Sequence, residues 1–195
     1  VVTGRVENVN PNDNRSYSNG EVIGLLQMKE IFDFVQRYAP GFEHIELLDT
    51  AHQMGVRESR HIIGDYLLTG EDLISGKRFD DVVALGGYHL DIHTPDNKGL
   101  KTKKVDTYEI PFSCLVPKGL EGMLLAGRPI SATHEAMSST RVIPIQMAQA
   151  QAAGTAAAIA AQRGLKIREL NIAELQRLLV QQGCELGQGL GRRAF

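Results

Sequence analysis

Two short clusters in the sequence have side-chain types and spacings that could do chemistry. Arg57 and Arg60 stand three apart, so on an extended strand they face opposite ways and only one can reach a given pocket. A guanidinium there would fix an anionic substrate or a phosphate through two parallel hydrogen bonds. An ion pair to Glu58, Asp65 or another acid would occupy the same groups structurally. His89, Asp91 and His93 alternate, which places all three on one face of a strand. That face suits a substrate contact, with Asp91 orienting an imidazole for proton transfer, or simply a polar strand surface. Two histidines and one carboxylate also suit a metal, but no fourth ligand is indicated, so none is expected.

A third stretch is the most informative: MLLAGRPISATHEAMSSTRVIPIQMAQAQAAGTAAAIAAQRG, residues 123–164. A short apolar strand ends at Gly127, a Ser/Thr-rich loop carries Arg128, His134, Glu135 and Arg141, and an Ala-rich helix opens near Val142. Glu135 could tune the basicity of His134, which suits a proton relay or a loop-fixing hydrogen bond. Ser131, Ser138 and Ser139 lack the GxSxG elbow that a hydrolase nucleophile requires. Pro144 costs little near the helix start, where amide hydrogens have no intrahelical acceptor. Ala148, Ala152, Ala156 and Ala160 share one face, which another backbone or a planar group can approach closely. The helix N-terminus is a seat for a carbonyl oxygen or a phosphate; a buried Ala-rich helix packed on a sheet is the structural alternative.

Around these residues, apolar spacing predicts a helix from Gly20 to Pro40 with Ser18 or Asn19 as N-cap. Extended segments are predicted at Val1–Val9, Phe42–Gln53, Val56–Leu68, Val82–His93, Val105–Val116 and Met123–Ala126. Thr69 and Asp72 fit a capping box. Helix is predicted over residues 142–163 with Gly164 as its stop, and Asn171 caps a last amphipathic helix.

The 195 residues are 43% hydrophobic and 23% charged, with a formal charge of −2, as in ordinary globular chains. No basic footprint for nucleic acid is present, and no apolar run is long enough to span a membrane. No secretory leader pattern is seen. Cys114 and Cys184 are 70 residues apart without metal spacing, so a reducing, cytoplasmic setting is expected.

AGRPISATHEA with RVIPIQMAQAQAAGTAAAIA, and upstream GVRESRHIIGDYLLTGEDL with FDDVVALGGYHLDIH, resemble the C-terminal part of a bacterial family of FAD-dependent oxidoreductases with the glutathione-reductase-like FAD fold. The resemblance spans roughly residues 40–165. It implies an α+β chain: a mixed-sheet substrate-domain portion over residues 1–116, the closing strand and long helix of the FAD-binding domain over 117–182, and a frayed tail over 183–195. It further implies that Gly127 and Arg128 pass beside the flavin's ribityl and pyrophosphate. Many flavoproteins of this fold carry an acid after that glycine, so Arg128 departs from the pattern and is expected to meet a phosphate or a carboxylate. The first turn, with Ile143, Ile145 and Gln146, would face the pyrimidine carbonyl, and Arg141 the ring or an anionic substrate, unless it pairs with Glu135. Arg57, Arg60, His93 and His134 would lie nearest a small organic substrate.

A GxGxxG between a strand and a helix would cradle the FAD pyrophosphate, and the sequence has none. The FAD-binding N-terminal half is therefore expected on another segment of the same protein as this chain's partner. FAD would be held by that whole and poorly by this chain alone. A non-catalytic binding domain is the rival reading.

Overall fold

A computed structural model describes residues 4–93 and 100–187. Side chains are described for these, apart from His93, Leu100 and Lys101. The chain forms two compact units, residues 1–59 and 60–195.

The first unit is built on one helix, α1 (Asn14–Tyr38). It starts six residues before the Gly20 predicted from apolar spacing, because Asp13 caps it by accepting from the Arg15 and Ser16 amides. Ala39, which precedes Pro40, has left the helical region and ends it. Residues 42–53 form no strand; alternation without a partner strand leaves the backbone unpaired. They lead to Met54, whose carbonyl accepts from Tyr17 Oη at 3.2 Å and whose amide donates to Glu21 at 2.6 Å. Gly20 is buried there, since a Cβ would lie 2.8 Å from Val9 Cγ2 and 3.0 Å from Met54 Cε.

The second unit is α+β. Helix α2 (Gly70–Ser75) leads to strands β1 (Val82–Gly86), β2 (Leu90–His93), β3 (Leu100–Lys103) and β4 (Tyr108–Pro111). A 3-10 turn at Phe112–Cys114 precedes α3 (His134–Thr140), α4 (Ile143–Arg163) and α5 (Ile172–Gln181). In place of the expected mixed sheet, the described strands make two antiparallel ribbons, β1 with β4 and β2 with β3. The closing strand expected at Met123–Ala126 is irregular. Leu125 donates to the Leu115 carbonyl, and one such bond does not make a ladder. Residues 60–68 likewise form no regular strand: they bend at Asp65–Tyr66 and make isolated bridges, Gly64 to Pro117 and Leu68 to Ala132.

Helices α4 and α5 pack on β1, and α3 packs on β2. One core runs through Leu68, Tyr108, Ile130, Met137, Leu175 and Leu179, all buried, so residues on both sides of position 116 share it. The tail is not frayed where it is described: Leu186 is 1% exposed. It docks because the Cys184 amide closes the end of α5 on the Leu179 carbonyl.

The capping box at α2 forms as predicted, Thr69 and Asp72 each accepting from the other's amide. Burial pushes the Asp72 carboxyl up. Hydrogen bonds from the Thr69 backbone and side chain and from Tyr66, with the Lys77 charge, outweigh this and hold it below its ordinary 3.8. A lowered folded-state pKa contributes stability above 3.8 that is lost as pH falls through the folded value. Asp72→Asn is expected to cost about 1 kcal/mol at neutral pH. It should also flatten the acid limb of the unfolding free energy, measured by urea denaturation at stepped pH below 5 or so.

Candidate functional site

Two buried side-chain donors without a hydrogen-bond partner lie where Gly127 meets α4. Helix α4 is one continuous stretch from Ile143 to Arg163, with Gly164 in the left-handed region at φ 64° as its stop. The run of Ala, Gln and Met predicts this, and Gly154 does not break it. Val142 is the N-cap but offers no side-chain hydrogen bond, and no acidic residue stands in the first turn. The positive end of the helix thus has no capping side chain.

Gln149 is fully buried on the face of α4 that also buries Ile145, Ala152 and Ala156. Its Oε1 accepts the Gly127 amide at 2.9 Å. That bond fixes the orientation of the carboxamide, because only the oxygen can accept. Gln149 Nε2 is then a buried donor without a hydrogen-bond partner. Gln146, one turn earlier, lies against Gly127, where a Cβ would be 3.8 Å from its Cδ. Its Nε2 is also buried and unpartnered. Gly127 has φ 86°, a left-handed conformation that glycine adopts without strain. A buried unmatched donor costs about 1–3 kcal/mol. Two of them beside an uncapped helix end make a place suited to carbonyl acceptors. The edge of a flavin pyrimidine ring offers such acceptors, so this donor set fits the ring side of FAD.

Of the residues predicted for this site, Gly127 and Gln146 come together. Ile145 is 6% exposed and anchors the helix, whereas Ile143 is 71% exposed. Arg128 is exposed next to the turn. Sequence reasoning missed Gln149. The available signal was a glutamine in register with Ile145, Ala152 and Ala156, on a face where every other residue is apolar.

Arg141 is the C-cap of α3, and the carboxylate it meets is that of Asp91. Its Nη2 lies 3.2 Å from Asp91 Oδ2, with the two side chains 12% and 10% exposed, and 3.4 Å from the Asp91 carbonyl. Glu135, the local acid, is exposed. The serines that could suggest a nucleophile do structural work nearby. Ser138 Oγ accepts from the Asp91 amide at 3.1 Å and donates to the Glu135 carbonyl at 2.6 Å. Ser139 Oγ donates to the Tyr88 carbonyl and shares a 2.6 Å hydrogen bond with Tyr108 Oη.

His89 falls outside the strand expected to carry it on one face with Asp91 and His93. β2 begins at Leu90, and the His89 ring stacks on Tyr88 at 4.0 Å between centroids; only the residues inside the ladder alternate regularly. The His93 side chain lies outside the described residues. His134 is exposed at the first position of α3. Arg57 and Arg60, both exposed, are not on a strand, and they belong to the first and second units respectively. Asp65 is ion-paired with Arg168. Among the described residues no His/Cys/Asp/Glu cluster could hold a metal ion, and no helix is long and apolar enough to cross a membrane.

Burial pushes the Tyr108 hydroxyl up from 10.0 to about 12, against the opposing hydrogen bond with Ser139. A raised folded-state value gives stability that is complete below the unfolded 10.0 and is lost as pH rises toward about 12. Tyr108→Phe is expected to cost about 1 kcal/mol at neutral pH. It should also remove part of the stability loss between about pH 10 and 12, as followed by urea denaturation.

A family model described as FAD dependent oxidoreductase matches residues 2–179. No curated protein and no solved structure matches the chain. The family match takes in the Gly127 turn, the uncapped start of α4 and both stranded amides, whose chemistry independently suits a flavin edge. The chain belongs to the FAD dependent oxidoreductase family.

Proposed function

We propose that this chain provides the ring-facing side of a flavoenzyme that oxidises a small organic substrate. Its second unit would hold the closing helix of a glutathione-reductase-like FAD-binding domain together with substrate-domain framework. The observation that carries this reading is the pair of buried, unpartnered donors, Gln146 Nε2 and Gln149 Nε2, beside Gly127. In the bound state FAD would supply the redox chemistry by accepting a hydride from the substrate. Gln146, Gln149 and the first-turn amides of α4 would donate to the ring's carbonyl oxygens. Their fixed dipoles would favour the negative charge that accumulates there on reduction. Gly127 would allow close approach of the ribityl chain, and Arg128 would meet a phosphate. Arg60, His93 and His134 are assigned to the substrate side. The pyrophosphate cradle would come from the N-terminal half of the same protein, since the sequence has no GxGxxG. A cytoplasmic setting goes with this reading, supported by Cys114 and Cys184 as free thiols.

The decisive variant is Gln146→Leu in the full-length protein, since it removes one stranded donor and leaves the Gly127–Gln149 bond intact. The expected result is an FAD affinity at least about tenfold weaker, or about 1.4 kcal/mol. Melting temperature of the flavin-free protein should be unchanged or raised, because an unsatisfied donor has gone. Unchanged FAD affinity would refute the reading. The purified 195-residue chain should show flavin absorbance well below one FAD per chain; a stoichiometric yellow chain would remove the need for a separate pyrophosphate half.

A further inference from the structure

Helix α1 turns one side to the rest of the first unit and leaves the opposite side uncovered among that unit's described residues. On the inner side Gly20 meets Val9 and Met54, a Cβ on Gly24 would lie 3.6 Å from Val6 Cγ2, and Tyr17 bonds the Met54 carbonyl. At about 3.6 residues per turn, the outer side carries Arg15, Asn19, Val22, Leu26, Lys29 and Asp33 in one stripe, with Leu25 at its edge. Val22, Leu25 and Leu26 are 58, 49 and 60% exposed, and Arg15 and Asp33 at the ends of the stripe are exposed as well. An apolar cluster on the outer side of a helix, rimmed by charges, marks an interaction surface.

The charges around this cluster complement themselves under a two-fold axis. Two copies of α1 laid antiparallel and crossing at the level of Gly24 bring Val22 opposite Leu26 and Arg15 opposite Asp33, and the symmetry repeats each contact. The remaining outer charges meet none of like sign: Lys29 falls opposite Asn19, Glu30 opposite Ser18 and Arg37 opposite Pro11. A parallel arrangement would instead set Arg15 on Arg15 and Asp33 on Asp33. Among the described residues the Arg15 guanidinium is in no ion pair. Asp33 pairs with Lys29 at 2.7 Å but stays half exposed, and a carboxylate has acceptor sites left for a second cation. We infer that the outer side of α1 is a homodimer interface: a second copy of this chain lies antiparallel across it, apolar at the centre and closed at each end by Arg15 against the partner's Asp33. No group assigned to flavin or substrate takes part, so the inference does not depend on that reading.

Sedimentation equilibrium of the 195-residue chain is expected to show a monomer–dimer equilibrium. Its dissociation constant should be on the order of 10 μM, since one helix pair lies at the small end of specific interfaces. Arg15→Glu should weaken the dimer at least about tenfold by facing the partner's Asp33 with a like charge, and Asp33→Arg should do the same against the partner's Arg15. Arg15→Glu combined with Asp33→Arg reverses both ends together. It should return the constant to within about threefold of the native value, which damage to the fold could not do. An acidic residue near the start of a helix and a basic one toward its end suit the helix dipole, so α1 should keep its stability, as circular dichroism of each variant checks. A chain still monomeric at about 200 μM, the outcome if its own second unit covers this side of α1, would overturn the proposal. So would a dimer that either single reversal leaves unchanged, or one that the double reversal fails to restore.

Discussion

Arg141→Ala is expected to lower the unfolding free energy by about 3 kcal/mol, the cost of removing one member of a buried ion pair. The pair is nearly out of water, with side chains 12% and 10% exposed at 3.2 Å. Deleting the guanidinium takes one ion-pair partner from a carboxylate held in a poorly hydrated place, and losing one member of a buried pair makes the cost large. A second contribution comes from the chain path: Arg141 also donates to the Asp91 carbonyl and so ties the end of α3 to β2. Urea denaturation of Arg141→Ala, Asp91→Ala and the double variant closes a cycle, with a coupling of at least about 1 kcal/mol expected. Additive costs would show that the pair is not a functional unit of the fold. A cofactor or substrate role is separated by Arg141→Lys in the full-length protein. Lysine keeps the charge but loses the planar fork. Turnover per bound FAD reduced about tenfold at nearly native stability would support that role. A loss of stability with unchanged turnover would leave Arg141 a structural residue.

Gly86→Ala should cost about 2–3 kcal/mol through overpacking. A Cβ at Gly86 would stand 2.3 Å from Cζ, 2.4 Å from Oη and 2.5 Å from Cε2 of Tyr108. These atoms end a side chain, but the side chain is not free to leave: Tyr108 is 1% exposed and bonded to Ser139. The two residues are also paired across β1 and β4. Either the ring is expelled with its hydrogen bond, or the ribbon separates; both disturb the strand on which α4 and α5 pack. In a Tyr108→Leu background the obstruction is gone, and Gly86→Ala should then cost less than about 1 kcal/mol. An equal cost in both backgrounds would show that backbone conformation, and not the ring, requires glycine there.

Elements with local causes can be read directly from the residue pattern. Helix α4 and its stop at Gly164, the Asn171 cap of α5 and the Thr69–Asp72 capping box all follow from propensity and from bonds spanning a few residues. Local causes also mislead locally: apolar spacing starts α1 at Gly20, whereas the Asp13 cap extends it to Asn14. The α+β class and the family were legible because separate motifs occur in order along the chain. Tertiary structure alone decided which extended segments become strands. Residues 42–53 and 123–126 are predicted extended just as 82–86 are, but only the last pairs into a ladder, and a strand exists only through its partner. The site divides in the same way. Gly127 and Gln146 could be named from the motif, but the buried hydrogen bond of Gln149 to Gly127 spans 22 residues and the Arg141–Asp91 contact spans 50. Such pairings depend on which helix face is buried and on which strand it meets, and no pattern of spacing within a few turns records either.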